Sequence, residues 1–137
     1  QKQIKIKGGF MTLADYFENA KGVGVLSTAD QDGKVNAAIY GRPHVIDEKT
    51  LAFIASDRLT HANLKTNPSA VYLFKENGSY EGKRLYLMMT HEEKDSPLIE
   101  VLRRKKRKEY ESADKKESKF LVYFKVKKVL PLIGSGK

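Results

Sequence analysis

The chain contains no cysteine. That absence excludes disulfides, thiolate nucleophiles and cysteine-based zinc or iron–sulfur sites together, and with them a disulfide-stapled secreted scaffold. Long apolar runs are missing too: nothing approaches the roughly 20 consecutive apolar residues that span a bilayer. The stretch Gln1 to Phe10 scatters lysines without the apolar segment or small-residue cleavage site of a secretory signal. A cytoplasmic protein without a membrane span is expected. No G-x-G-x-x-G follows a strand, no Walker-type loop occurs and no G-x-S-x-G elbow is present, so the common dinucleotide, phosphate-loop and serine-hydrolase signatures are absent. His44, His61 and His91 lack the H-x-x-x-H or H-E-x-x-H spacing that sets two ligands on one helical face. No metal site is expected.

What is there suits one soluble globular domain: 137 residues, 40% hydrophobic and 31% charged. The formal charge of +9 is unevenly spread. Residues 1–12 carry +3, residues 13–101 carry −3, residues 102–119 carry +5 and residues 120–137 carry +4. The middle is thus mildly acidic, and much of the excess sits in Arg103-Arg104-Lys105-Lys106-Arg107-Lys108. Such blocks are usually solvated faces or interaction tails. Six adjacent cations are able to neutralise phosphates and release counterions, but no aromatic side chains interleave with them for base stacking. Nucleic acid is not the expected partner.

Periodicity organises the rest. Thr12 can cap a helix on which Leu13, Tyr16, Phe17 and Ala20 recur at helical spacing, with Gly22 ending it. Val23 to Thr28 and Val35 to Ile46 read as a hairpin around Asp30-Gln31-Asp32-Gly33, and Leu51 to Ala55 follows the turn Asp47 to Thr50. Leu59, Ala62 and Leu64 suit a short helix that must stop near Asn67-Pro68. Ala70 to Phe74 and Arg84 to Thr90 are strands, Ser96-Pro97 opens a helix, and Phe120 to Val129 is the last strand. The reading is mainly β with some helix (α+β): a six-stranded antiparallel split β-barrel with short flanking helices. Residues 1–11 form an N-terminal extension, and residues 12–137 form the domain, with a basic helical insertion at about 96–118. The apolar residues on both faces of Phe120 to Phe124 suggest that one face packs against a partner. Glu92 and Glu93 are adjacent on a strand, point to opposite faces and so do not cooperate as a dyad.

The most informative segment is Ser56-Asp57-Arg58-Leu59-Thr60-His61-Ala62-Asn63-Leu64, where a strand runs into a helix. A helix start offers unpaired N–H groups and a positive dipole end, and Arg58 with the Ser56 and Thr60 hydroxyls is able to complete an anion cradle. Ser, Asp and Thr also simply cap helices, so the segment alone leaves both readings open.

The order helix, V-G-V-L-S-T strand, D-G-K hairpin, V-N-A-A-I-Y-G-R-P-H strand, L-A-F-I-A-S strand, D-R-L-T-H-A-N-L-K-T-N-P helix and V-Y-L-F strand resembles the pyridoxamine 5′-phosphate oxidase-like FMN-binding split barrels over about residues 12–90. The resemblance implies a homodimer with FMN in clefts between the subunits. It places Asn36, Ala37 and Ala38 where backbone faces the flavin ring, and Thr60 where a phosphate contact is made, with Asn63 one turn on. Arg42, Arg58 and His61 complete the cofactor-binding candidates. Ile39 stands where the vitamin B6 oxidases tend to have a phosphate-binding arginine, and Leu59 replaces another basic residue; Arg42 and Arg58 are placed to compensate. The carboxy-terminal end also lacks the arginine-rich segment that holds the oxidases' substrate, which argues against pyridoxamine phosphate. Tyr40 and Tyr86 are candidates to stack on a ring. The expected function is an FMN-dependent oxidoreductase of unknown substrate, with catalytic residues unassigned because the flavin supplies the hydride chemistry. The alternatives are a haem- or deazaflavin-binding barrel and a basic nucleic-acid-binding barrel.

Overall fold

A computed structural model of the chain describes residues 3–6, 9–104 and 118–134. Strands β1 (Gln3–Ile6) and β2 (Gly9–Thr12) form an antiparallel ribbon that leads into helix α1 (Leu13–Asn19). Then come β3 (Gly22–Ala29), β4 (Val35–Ile39), β5 (His44–Asp47), β6 (Thr50–Ser56), helix α2 (Leu59–Thr66), β7 (Ser69–Glu76), β8 (Gly82–Lys94), helix α3 (Leu98–Arg104) and β9 (Lys119–Pro131). The seven strands β3–β9 make one antiparallel sheet in the order β4-β3-β7-β8-β9-β6-β5.

The expected single strand Val35 to Ile46 is two strands, so the sheet has seven members where periodicity suggested six. The break falls at Gly41-Arg42-Pro43. Proline lacks the N–H that would continue a ladder, and here the chain leaves β3 and crosses to β6. The Tyr40 N–H donates to the Gly24 carbonyl (3.0 Å), whereas His44 already pairs with Ala52. β4 and β5 are therefore the two edges of the sheet, joined by the chain itself rather than by a ladder, and the barrel is split along that seam. Buried Tyr72 props the crossing: its hydroxyl points at the carbonyls of Tyr40 (3.2 Å) and Gly41 (3.0 Å). Gly24 gives the ring room, since a Cβ there would lie 1.9 Å from the Tyr72 hydroxyl.

Inside the barrel, Leu26, Leu51, Phe53, Tyr72, Phe74, Leu85 and Phe124 are buried, with Phe53 touching both Tyr72 (centroids 4.9 Å apart) and Phe124 (5.8 Å, edge-on). Side-chain alternation on each strand aims these residues inward. Turn chemistry matches the expectations: Asp30 Oδ1 accepts from the N–H groups of Asp32 and Lys34, both at 2.9 Å, and Gly33 takes φ +84°. Thr12 caps α1 through Asp15 N–H (3.2 Å). The helix ends at Asn19 with Ala20 as its C-cap, so Gly22 opens β3 instead of closing the helix.

Three further outcomes refine the expectations. Within the first twelve residues the ribbon β1–β2 forms and seats Ile4 in the main core. The second apolar face of β9 does not await a partner, because Leu121 and Tyr123 are covered by Leu98, Ile99 and Leu102 of α3. Of the basic helical insertion, α3 covers Leu98–Arg104, and residues 105–117 lie outside the described residues. No described helix is long and apolar enough to cross a membrane.

Candidate functional site

The segment from β6 into α2 is built without a side-chain cap. Arg58 occupies the N-cap position and makes no side-chain cap bond. The neighbours that might have capped are committed elsewhere: Ser56 Oγ accepts from Lys119 Nζ (2.6 Å), and Asp57 Oδ1 lies 3.0 Å from Nδ1 of His61. Of the two readings open at this segment, capping by Ser or Asp is therefore not what the chain does. Among the described residues the first turn of α2 has no side-chain cap, and it lies next to an exposed Arg58, which is the arrangement that receives an anion at a helix start.

Beside this turn runs the sheet edge. Among the described residues β4 pairs only with β3, so one side of its backbone has no ladder partner there. Asn36 and Ala38 are half-buried and alternate with exposed Val35, Ala37 and Ile39. A polar knot fixes this edge to the helix. Asn36 Nδ2 donates to Thr60 Oγ1 (3.3 Å), the Tyr40 side chain also hydrogen-bonds Thr60, and Asn63 Nδ2 donates to Thr28 Oγ1 (3.1 Å). Thr60 and Asn63 are buried, so both hold α2 against β3 and β4 instead of facing solvent. Burial pushes the Tyr40 hydroxyl above its ordinary pKa, opposed by the bond to Thr60.

His61 is fully buried. Nδ1 meets Asp57 at 3.0 Å, Nε2 meets Glu92 at 2.7 Å, and the ring stacks on Phe120 with centroids 3.8 Å apart. The cluster ties the start of α2 to β8 and β9. The bond to His61 is the main cause that holds the Asp57 carboxyl below its ordinary pKa. Glu93, on the opposite face from Glu92, accepts from the Tyr123 hydroxyl (3.2 Å).

Of the eight cofactor-binding candidates, the structure gathers Asn36, Ala37, Ala38, Arg58, Thr60 and Asn63 at the junction of β4 with α2. Arg42 is turned elsewhere: its Nη1 donates to the carbonyls of Phe17 (2.9 Å) and Ala20 (2.8 Å), closing the C-terminal end of α1. His61 lies beneath the helix, with both nitrogens engaged by carboxylates. Tyr86 meets the Lys128 ammonium over its ring at 5.8 Å. Spacing gave no sign of Glu92 and Phe120 as partners of His61, because they come from strands 31 and 59 residues away that only the sheet brings together. Thr28 was legible as a strand residue but not as the anchor of Asn63. Among the described residues, no group of three or more His, Asp and Glu side chains is arranged to hold a metal ion.

The architecture has solved counterparts. An FMN-binding protein from Syntrophomonas wolfei superposes with a TM-score of 0.70 at 22% identity, over 89% of this chain and 84% of that one. The fold is the pyridoxamine 5′-phosphate oxidase-like split barrel. A presumed pyridoxamine 5′-phosphate oxidase from Lactobacillus delbrueckii shares the split barrel with a TM-score of 0.64 at 16% identity, over 95% and 99% of the two chains. An F420 reductase shares it with a TM-score of 0.61 at 18% identity, over 87% and 97%. No family model matches the sequence, and no curated protein does.

Proposed function

We propose that this chain is an FMN-binding flavoprotein of oxidoreductase type, working as a homodimer. The observation that carries this reading is the uncapped first turn of α2 beside the unpaired edge of β4. The donor set fits a flavin mononucleotide: N–H groups and Arg58 suit a monophosphate, and an unpaired backbone edge at Asn36 to Ala38 suits the hydrogen-bonding rim of a planar ring. Bound there, FMN would supply hydride transfer through its own ring. The protein's part is placement. The Asn36–Thr60 and Asn63–Thr28 bonds hold the strand edge and the helix start at a fixed separation. The His61 cluster keeps the Asp57 carboxylate occupied, away from an incoming phosphate.

Support for a dimer comes from the outer face of β4, β3, β7 and β8. Ile39, Val25 and Leu73 lie in register across three strands, Val71 faces Tyr86, and Ser69 faces Met88. Val35 (82% exposed), Ile39 (71%), Leu73, Tyr86 and Met88 are all accessible, and contiguous apolar patches of this kind mark interaction sites. The face adjoins the β4 edge, so a second copy seated on it would wall the cofactor site.

The deciding experiment is an absorbance spectrum of the purified protein with mass analysis of the released ligand, followed by reconstitution with FMN, FAD, F420 or haem. One FMN per subunit is expected. Stoichiometric FAD uptake without preference for FMN, or a deazaflavin or Soret spectrum with no FMN uptake, overturns the reading.

A further inference from the structure

Lys83 of β8 stands at the end of the barrel away from α2 and is only 8% exposed. Its register partner Phe74 is fully buried, and the Tyr16 ring lies 5.5 Å from its ammonium. Among the described residues that ammonium makes no hydrogen bond and no ion pair. The Glu76 carboxylate accepts the Tyr16 hydroxyl at 2.6 Å and, like Glu81, acts on the ammonium through space without a hydrogen bond to it. The stem is buried while the ammonium keeps access to solvent, as long cationic side chains commonly do. The side chain lines a cleft of about 780 Å³ between the β1–β2 ribbon and the end of β9. Ile4, Val129 and Leu130 supply apolar wall, and Lys127, Lys128 and Glu81 stand around it.

We propose that this cleft binds an alkyl monocarboxylate, with the carboxylate on the Lys83 ammonium and the alkyl chain along Ile4, Val129 and Leu130. Three observations select that class. The ammonium has no hydrogen-bond acceptor among the described residues and keeps access to solvent, so an incoming anion can reach it, and charge-assisted bonds of this type are among the strong ones. The apolar wall needs a hydrocarbon, and the volume falls in the range of roughly 300–1,000 Å³ for small-molecule sites. The charge count then favours one negative charge over two: the ammonium groups of Lys83, Lys127 and Lys128 are opposed by the carboxylates of Glu81 and Glu76, both of which act on Lys83. Burial lowers the Lys83 pKa and these carboxylates raise it in part, in keeping with a cation held short of a full partner. The cleft is separate from the α2 site. Lys83 is level with Phe74 and Gly24, whereas Asn63 anchors at Thr28, four residues or about 13 Å further along β3 at roughly 3.3 Å per residue.

The test uses decanoate as the probe on the full chain, by calorimetry at fixed salt. Saturable binding of one decanoate per subunit is expected, with decanol and decyl phosphate at least tenfold weaker and Lys83→Met at least tenfold weaker than wild type. Flavin uptake by Lys83→Met serves as its folding check. A second measurement uses wild type alone: reductive methylation read by mass spectrometry should show Lys83 protected by decanoate and the exposed Lys34 unaffected. Absence of decanoate binding, equal binding by folded Lys83→Met, tighter binding of decyl phosphate, or equal protection of Lys83 and Lys34 overturns the proposal. If Lys83→Met does not fold, the protection measurement decides.

Discussion

Two outer faces of the same sheet differ in one respect. Over β6 and β9, the outward side chains Ala52, Ile54, Leu121 and Tyr123 are roofed by Leu98, Ile99 and Leu102 of α3, and form a second core. Over β4, β3 and β7, Val35, Ile39 and Leu73 project from the same kind of ladder with no roof among the described residues. The physics of the two strips is alike, as β-branched and aliphatic residues at alternate positions face away from the barrel. The difference is that the described residues supply a helix for one strip and none for the other. Fully burying one such side chain is worth about 1.5–3 kcal/mol, so the covered strip contributes to folding of the single chain, and the bare strip holds the same kind of free energy for association.

The largest expected effect tests the covered strip. Leu121→Ala removes a fully buried side chain and should cost about 2–5 kcal/mol in urea unfolding. Leu73→Ala on the bare strip should cost under about 0.5 kcal/mol in a single dissociated chain. Equal losses would erase the distinction between the faces. Next in size is the bare strip itself. Ile39→Lys with Leu73→Lys should raise the dimer dissociation constant at least tenfold, about 1.4 kcal/mol. Light scattering should then fall from twice 15.5 kDa toward 15.5 kDa, with flavin retention falling in parallel. A double variant that stays dimeric and holds flavin moves the interface elsewhere.

Why the sequence disclosed the covered strip but not its cover, and did not show the bare strip, is itself physical. The continuous apolar run Phe120 to Phe124 announced burial on both faces, but periodicity cannot tell a helix of the same chain from a second subunit. Leu98, Ile99 and Leu102 were visible as an apolar stripe, yet no local signal said which strand they would meet. The bare strip was harder to see because its exposed residues are scattered singly through β4, β7 and β8 and become a patch only through register. Turn chemistry was readable where one residue sets the geometry, as at Gly33 and Thr12. The ribbon β1–β2 was missed although Ile4 and Ile6 alternate with lysines, since four-residue strands carry little pattern and Ile4 is recruited by tertiary packing. At the candidate site, the local pieces Arg58, Thr60 and Asn63 were legible because a strand-to-helix junction has a chemistry of its own. The contacts of Asn36 with Thr60 and of His61 with Glu92 were not, as they join elements distant in sequence.

β4 belongs both to the bare strip and to the cofactor site, so the site variants sharpen the comparison from another side. Arg58→Ala and Thr60→Ala should each weaken FMN binding by about 1–3 kcal/mol, the range for losing a charged or buried hydrogen bond. Thr60→Ser keeps the hydroxyl that Asn36 and Tyr40 meet and should retain most of the affinity. Titration of the apo protein by flavin fluorescence quenching measures all three; a Thr60→Ser variant as weak as Thr60→Ala would assign the effect to methyl packing. A smaller effect concerns pH. The lowered pKa of Asp57 means its stabilising contribution is fully present above the ordinary aspartate value near 3.9 and is lost as the pH falls through the lower folded value. The melting-temperature gap between wild type and Asp57→Asn should therefore narrow as the pH is taken from 5 to about 2.5. A gap that is constant across that range shows that the carboxylate charge contributes nothing.

The smallest expected effect lies on the covered side, where α3 ends in the basic run. Arg103 lines a small cavity of about 130 Å³ with Tyr40 and Arg42, while Lys105 to Lys108 lie outside the described residues. Neutralising Lys105, Lys106, Arg107 and Lys108 while keeping Arg103 isolates charge from packing. If the run is a solvated face, individual charges there are worth about 0–1 kcal/mol and are screened by salt. FMN affinity should then stay within about 0.5 kcal/mol of wild type at 0.15 M salt, and the dimer should persist. Loss of flavin binding in this variant, with binding intact in Arg58→Ala and Thr60→Ala, would place the phosphate near the end of α3 and the cofactor on the covered side of the sheet. A change confined to low salt would instead identify long-range attraction of an anionic cofactor, because screening over about 8–10 Å removes that contribution and leaves direct phosphate contacts in place.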